Sequence, residues 1–116
     1  MREDLDLQYF RQCLLNRALV LEEGRSSQAE AARAVELDQT RVGRLSRMDA
    51  MQQQAVAQVA ERQAEAERQR IGTALKRLDR GEYGYCLLCD EPIAEGRLRV
   101  DPSILICIDC ARAAER

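Results

Sequence analysis

The residues of this sequence that are best suited to chemistry are four cysteines in its C-terminal third. They form two Cys-x-x-Cys pairs, Cys86 with Cys89 and Cys107 with Cys110, and 17 residues separate the pairs. Each pair places two sulfurs on one tight turn, and two pairs supply the four thiolates that Zn²⁺ prefers in tetrahedral coordination. Four protein ligands leave no position for water, so the pattern predicts one structural Zn²⁺ and not a catalytic metal.

Other uses of the cysteines are also compatible with the spacing. A rubredoxin-like iron site takes four thiolates, although the aromatic packing expected around an electron-transfer centre is missing. Two disulfides would require an oxidising compartment. The fifth cysteine, Cys13, stands beside Phe10 and Leu14, and we expect it to be a small buried apolar residue, with a redox role as the alternative.

Composition restricts the function classes. The 116 residues include no His and no Trp, 33% are charged, 3% are aromatic and the formal net charge is −2. Without histidine the commonest general base is missing, so we expect no enzymatic activity. The slightly acidic balance does not favour stable DNA binding. The acidic N-terminus and the lack of an apolar run of about 20 residues predict a cytoplasmic protein without membrane association.

Two series of apolar residues predict a mainly α protein. With its 3/4 spacing, the first series marks one face of a helix, and the second series predicts another helix that ends at Gly81 with a basic last turn. Two long helices that share a small core predict an antiparallel hairpin, a coiled coil over residues 1–80, in a monomer. Residues 81–116 are then a zinc-finger domain with a short C-terminal helix. The two series are Leu7, Phe10, Leu14, Ala18 and Leu21, and Val42, Leu45, Met48, Ala55, Val59, Ile71, Leu75 and Leu78.

The position of the hairpin turn can be predicted from its local signals. Gly43 can close the first helix, and Ser46 with Asp49 has the form of a capping signal for the second. A turn near 43–46 gives two arms of similar length. The competing turn at 24–27 would leave much of the longer arm without a partner.

The C-terminal motifs resemble those of the DksA/TraR family. The similarity lies in the lead-in from Gly81 to Cys86, in Arg97-Leu98, in Pro102 and in the stretch from Leu105 to Cys110. It covers nearly the whole chain in layout and residues 81–110 at the level of motifs. The resemblance implies a bacterial transcription regulator that binds RNA polymerase through its secondary channel and modulates initiation with the tip of the hairpin.

The resemblance also implies which residues act at the tip. The family's Asp-x-x-Asp-x-Ala string is missing here, and a solvated turn is the alternative to an active tip. The candidates nearest to that string are Asp38, Asp49 and Ala50. The basic residues of the turn region, Arg41, Arg44 and Arg47, complete the candidate set.

The family's site for guanosine tetraphosphate is only partly kept. Arg70 is retained, but Asp101 and Ala111 stand where the family has basic residues. We therefore expect weak or no binding of this alarmone. Arg97 and Arg99 are expected on a polar strand edge of the finger.

Two further functions compete with polymerase regulation. A zinc ribbon that binds nucleic acid would show salt-dependent binding, which the acid excess of the finger opposes. A thiol or zinc redox sensor would release its metal when the thiols are oxidised.

Overall fold

The structure is a computed structural model that describes residues 2–38 and 45–115, and the side chains of residues 2–25 and 48–115. Its four helices are α1 (Leu7–Asp38), α2 (Leu45–Arg80), α3 (Glu95–Val100) and α4 (Ile108–Ala114). In the described ranges there is no strand, only an isolated bridge between Tyr85 and Pro92. The predicted mainly α fold with a short C-terminal helix is confirmed.

The chain divides into two compact units. One comprises Met1–Ala18 and Glu67–Arg116, and the other comprises Leu19–Ala66. The first unit therefore contains the finger together with the start of α1 and the end of α2. The predicted domain boundary between residues 80 and 81 stays a prediction.

The first unit has a well-packed apolar core. Helices α1 and α2 are antiparallel in it, because Arg11 pairs with Asp79 at 2.9 Å and Arg17 pairs with Glu67 at 2.6 Å. The ring of Phe10 is fully buried, and its centroid lies 5.6 Å from that of the finger's Tyr83. Helix α1, helix α2 and the finger all contribute to this core. Its other large buried side chains are Leu5, Leu14, Ile71, Leu78, Ile93 and Leu98.

In the second unit the helix faces are more exposed. All ten side chains of residues 51–60, Val59 among them, are exposed, and Met48 is exposed as well. The prediction that the second apolar series faces a core is therefore wrong at Met48, Ala55 and Val59. The alanines and glutamines of this stretch bury little area, so the apolar spacing alone does not produce a core.

Helix boundaries confirm part of the predicted hairpin. Helix α1 continues through residues 24–27, so the competing turn there is wrong. The predicted turn near 43–46 lies partly outside the described residues, which resume at Leu45. Helix α2 already includes Ser46, so the predicted cap at this residue is wrong and the helix starts earlier.

Helix α2 ends as predicted at Gly81. This glycine has a φ of 74°, and its N–H donates to the carbonyl of Leu78 over 3.2 Å. The next N–H, that of Glu82, donates to the carbonyl of Arg77 over 2.8 Å. This pair of bonds is a Schellman motif, which turns the chain from α2 into the finger.

The expected strand edge at Arg97 and Arg99 is wrong, because both residues lie in α3. The alternating charged and apolar residues suggest a strand, but only Leu98 of α3 is buried. One contact within the short helix and one contact to α1 stabilise it. Arg99 pairs with Glu95 at 3.0 Å, and its guanidinium lies 5.2 Å from the ring centroid of Tyr9.

An N-terminal segment fastens the finger to the rest of the first unit. Arg2 is buried, donates to the carbonyl of Gly84 over 2.8 Å and also donates to the carbonyl of Ile93. Its charge is paired with Asp4 at 2.6 Å. Gly84 has a φ of 90°, and a Cβ there would lie 2.7 Å from Cδ of Arg2. The finger therefore requires glycine at this position.

A search of the described helices finds none that is long and apolar enough to span a bilayer.

Candidate metal centre

The two Cys-x-x-Cys pairs lie on two turns of the first unit. Cys86 and Cys89 are on the turn that follows Tyr85, while Cys107 caps α4 and Cys110 lies in its first turn. A hydrogen bond from the N–H of Leu87 to the carbonyl of Leu105, 2.8 Å long, joins the two turns. This bond brings the pairs together across the gap of 17 residues.

Backbone N–H groups shape each turn around its first sulfur. The N–H of Leu88 points at Sγ of Cys86 over 3.4 Å, and the N–H of Cys110 points at Sγ of Cys107 over 3.5 Å. Such N–H groups stabilise negative charge on a sulfur. The turn needs these backbone groups and not the side chain of Leu88.

The four sulfurs have the spacing of a zinc site. All of them lie within 4.8 Å of one another, and Cys89 and Cys107 are 3.6 Å apart at Sγ. A tetrahedron with Zn–S bonds of about 2.3 Å has sulfurs about 3.8 Å apart. All five cysteines of the chain are unlinked, so no disulfide competes for these sulfurs.

Protonation of the four thiols depends on their neighbours. Burial raises the pKa of Cys86, but N–H groups of Cys107, Leu88 and Cys89 outweigh burial and bring the pKa down to about 6. Contacts with the sulfurs of Cys107, Cys86 and Cys89 raise the pKa of Cys110 well above its usual range. Four thiolates this close repel one another, so binding of a divalent cation ionises the whole set and releases protons. The donor set fits one structural Zn²⁺.

Side chains outside the metal ligands hold the finger in shape. The hydroxyl of Tyr83 donates to the carbonyl of Pro102 over 2.8 Å, and burial raises the pKa of this hydroxyl well above its usual range. Arg97 donates to the carbonyl of Ile106 over 3.2 Å. Arg77 donates to the carbonyls of Glu82 and Tyr85. These bonds tie the loop ends to α2 and α3.

Of the proposed tip residues, only some are described. Asp49 lies in α2 and is exposed, and Ala50 beside it is partly buried. Asp38 is the last residue of α1, but the side chains of Asp38 and Arg47 are outside the described residues. Arg41 and Arg44 lie outside them altogether. The structure therefore leaves the set of tip residues a prediction.

Arg70 lies next to the two polar residues that follow α3. Its Nε is 3.4 Å from the hydroxyl of Ser103. Asp101 accepts hydrogen bonds from both the N–H and the hydroxyl of Ser103, at 3.0 and 2.7 Å. An acidic group thus stands near the retained arginine, as the sequence suggests.

Cys13 is half-buried and not fully buried as expected. Sequence reasoning missed Arg2 and Asp90, which support the metal centre, whereas Gly84 belongs to the glycine lead-in already identified in the sequence. The sequence around Arg2 does not indicate its role, because the carbonyl groups to which it donates lie more than 80 positions away. Gly84 and Asp90 have positive φ, at 90° and 61°. A glycine or aspartate next to a Cys-x-x-Cys pair is the only local hint of such a turn.

Comparisons with known proteins agree with the finger geometry. Residues 81–116 match the sequence model of the prokaryotic dksA/traR C4-type zinc finger. A segment of 46 residues is 44% identical to the RNA polymerase-binding transcription factor DksA of Haemophilus influenzae. This segment is 40% of the present chain and spans about a third (32%) of that relative's length.

The fold agrees with a solved structure over nearly the whole chain. Transcription factor DksA2 from Pseudomonas aeruginosa matches 94% of this chain with a TM-score of 0.71 and 26% identity. The match covers 82% of the DksA2 chain. Both of these similar proteins are transcription factors by name.

Proposed function

We propose, from the premise that this chain is a DksA-like protein with a DksA/TraR zinc finger, that it is a transcription regulator that binds bacterial RNA polymerase. The proposal rests on the agreement of both the zinc finger and the overall fold with those of similar transcription factors. The four-cysteine set has zinc spacing, and the likeness to DksA2 extends over both long helices.

The finer mechanism is that the two long helices enter the secondary channel of the polymerase. The end of α1 at Asp38 and the beginning of α2 at Leu45 then approach the catalytic region and modulate initiation. Asp49 supports this role because it is an exposed acid close to the beginning of α2. The zinc-held finger secures the other end of both helices, where Phe10 and Tyr83 pack together.

Site-specific cross-linking tests this mechanism. A photoreactive residue at Met51, which is exposed near the start of α2, should label polymerase segments that line the secondary channel. The same residue at Lys76, exposed near the end of α2, is the matched control and should label the outer surface. If both positions label the same outer surface, the helices do not enter the channel.

Alarmone binding belongs to the same proposal. Asp101 places a carboxylate beside Ser103, the partner of Arg70, so a multiply charged anion would be repelled there. We expect little or no heat from guanosine tetraphosphate in calorimetry, and stronger binding by the Asp101→Asn variant. Tight binding by the wild-type chain would contradict this.

We also propose the oligomeric state, the location and the activity class of the protein. The protein acts as a monomer in the cytoplasm, binds no DNA stably and catalyses no reaction. The sequence of the finger contains seven acids against four bases, which opposes contact with a phosphate backbone. The described metal set has four protein ligands, which leaves no open position for a substrate.

A further inference from the structure

The surface beside the metal centre exposes three apolar side chains. Leu87 and Leu88 lie between the first two cysteines, and Ile108 follows Cys107. Their exposed fractions are 46%, 69% and 45%. The bond between Leu87 and Leu105 joins the two turns that carry these side chains, and we name the three residues together the knuckle surface.

Local folding does not explain these side chains. The turn that holds Leu88 depends on its backbone N–H, which points at Sγ of Cys86. A polar residue could make the same bond and would avoid exposing apolar area to water. Several exposed apolar groups on the turns of one metal site are typical of a contact surface.

The charge around the knuckle surface is negative. Asp90, Glu91 and Asp109 are exposed next to the three apolar residues. Neither residues 81–96 nor residues 100–111 contain a lysine or arginine. The exposed Arg112 lies one turn of α4 after Ile108, so three acids stand against one base in this area. The nearby Arg77 is mostly buried and donates to two carbonyls. A zinc ion with four thiolates adds further negative charge, since four thiolates outweigh one divalent cation.

We propose that the knuckle surface docks into an apolar socket rimmed by lysines and arginines on RNA polymerase, as a second contact besides the helices. The inference rests on the proposed function. Complementary charge selects a basic protein surface and excludes nucleic acid. A second copy of this chain is disfavoured, because a symmetric contact would set the same acids against each other.

The size of the knuckle surface indicates that it is an auxiliary contact. A stable interface of standard size buries about 800 Å² on each partner, and three partly exposed side chains cannot supply that area. They can, however, add affinity to a partner that already holds the helices. The same partner must therefore touch both regions.

The test measures equilibrium binding of the zinc-loaded chain to labelled core RNA polymerase. The double variant Leu87→Ser/Leu88→Ser should bind at least about tenfold more weakly, with unchanged zinc content. Val100→Ser is the matched control, because Val100 is exposed by 86% in the same unit but lies on α3. Equal affinity of the double variant and the wild type would overturn the inference.

A second pair of variants tests the charge. Glu91→Gln/Asp109→Asn should weaken binding and flatten its dependence on salt, whereas Glu3→Gln/Glu115→Gln should change neither. If the salt dependence of binding is unchanged in Glu91→Gln/Asp109→Asn, the inference that the partner surface is basic is overturned. If the leucine double variant loses zinc, the affinity of the single variant Leu88→Ser for polymerase becomes the deciding measurement.

Failure of the proposed function and failure of the knuckle-surface inference would give different experimental results. If the wild-type chain does not bind polymerase, the proposed function fails and the inference falls with it. If the wild type binds and the leucine and charge variants bind equally well, only the knuckle surface is rejected. Sedimentation of a wild-type dimer that Leu88→Ser dissociates would show a second copy as the occupant and overturn the choice of partner.

Discussion

At the scale of residues, the metal centre depends on four sulfurs and on the N–H groups that point at them. The type and spacing of the cysteines predict the ligands, because two Cys-x-x-Cys pairs suit a tetrahedral ion. The turn that brings the pairs together is set by a bond between Leu87 and Leu105, which no local pattern indicates.

Replacement of one ligand tests the centre directly. Cys86→Ser should abolish stoichiometric zinc binding and lower the melting temperature, because binding of structural zinc contributes free energy of folding. Cys13→Ser is the matched control, since Cys13 is not part of the sulfur cluster. Metal analysis and thermal melts by circular dichroism measure both effects. Full zinc content in Cys86→Ser would show that the cluster is not the metal site.

Asp90 provides a prediction about backbone strain in the first zinc turn. Its φ is 61°, a left-handed conformation that glycine adopts without cost. Asp90→Gly should leave the free energy of unfolding unchanged or raise it, while Asp90→Ala should lower it by about 1 kcal/mol. Chemical denaturation of the zinc-loaded proteins measures the order. Equal free energies of unfolding for Asp90→Ala and Asp90→Gly would contradict the presence of backbone strain at this position.

At the scale of elements, the sequence predicts the long helices well and the finger poorly. Apolar spacing identifies Phe10, Leu14, Ile71 and Leu78, all of which are buried. The same spacing fails near the start of α2, because the exposed side chain of Met48 shows that periodicity does not guarantee a packing partner. In α3 a single buried leucine decides the structure, and six residues are too few for a helical period to appear.

Two glycines of the first unit should respond to alanine with opposite signs. A Cβ at Gly84 would come within 2.7 Å of Arg2 and 2.9 Å of Leu5, whereas a Cβ at Gly72 would meet nothing within 4 Å. Gly84→Ala should therefore destabilise the unit by about 2 kcal/mol or more. Gly72→Ala should stabilise α2 by up to about 1 kcal/mol.

Denaturant titrations of both glycine variants measure the difference. Equal stability of Gly84→Ala and the wild type would mean that Arg2 does not hold the finger as described.

The ion pair between Arg17 and Glu67 makes part of the stability of the first unit depend on pH. Hydrogen bonding to Arg17 holds the pKa of Glu67 below its ordinary value of 4.5. The pair is therefore fully stabilising above about pH 4.5 and loses its effect as the pH falls through the lower, folded-state pKa. Since Arg17 is half exposed, the contribution is under about 1 kcal/mol.

Thermal melts of the wild type and Glu67→Gln test this dependence. The wild type should melt higher at pH 7, and the difference should shrink below about pH 4.5. Gln12→Ala, which removes an exposed, uncharged side-chain bond to Asn16, controls for the loss of a surface hydrogen bond without a change of charge. A difference that does not change with pH would contradict an electrostatic origin.

At the scale of the whole molecule, one metal centre stabilises the unit from which both long helices extend. Packing of Phe10 against Tyr83 and the bonds of Arg2 join the finger to α1, and the Schellman motif joins it to α2. The apolar series and the cysteine spacing predict the two helices and the metal site at their base. The contacts themselves join residues far apart in the chain, which periodicity and motifs do not reveal.

The most direct test of the account is the affinity of the chain for core RNA polymerase with and without its zinc centre. We expect the zinc-loaded wild type to bind at micromolar concentration or tighter and to alter the lifetime of promoter complexes. Cys86→Ser should bind much more weakly, while Cys13→Ser should bind like the wild type. No binding of the zinc-loaded wild-type chain at micromolar concentration would contradict the account.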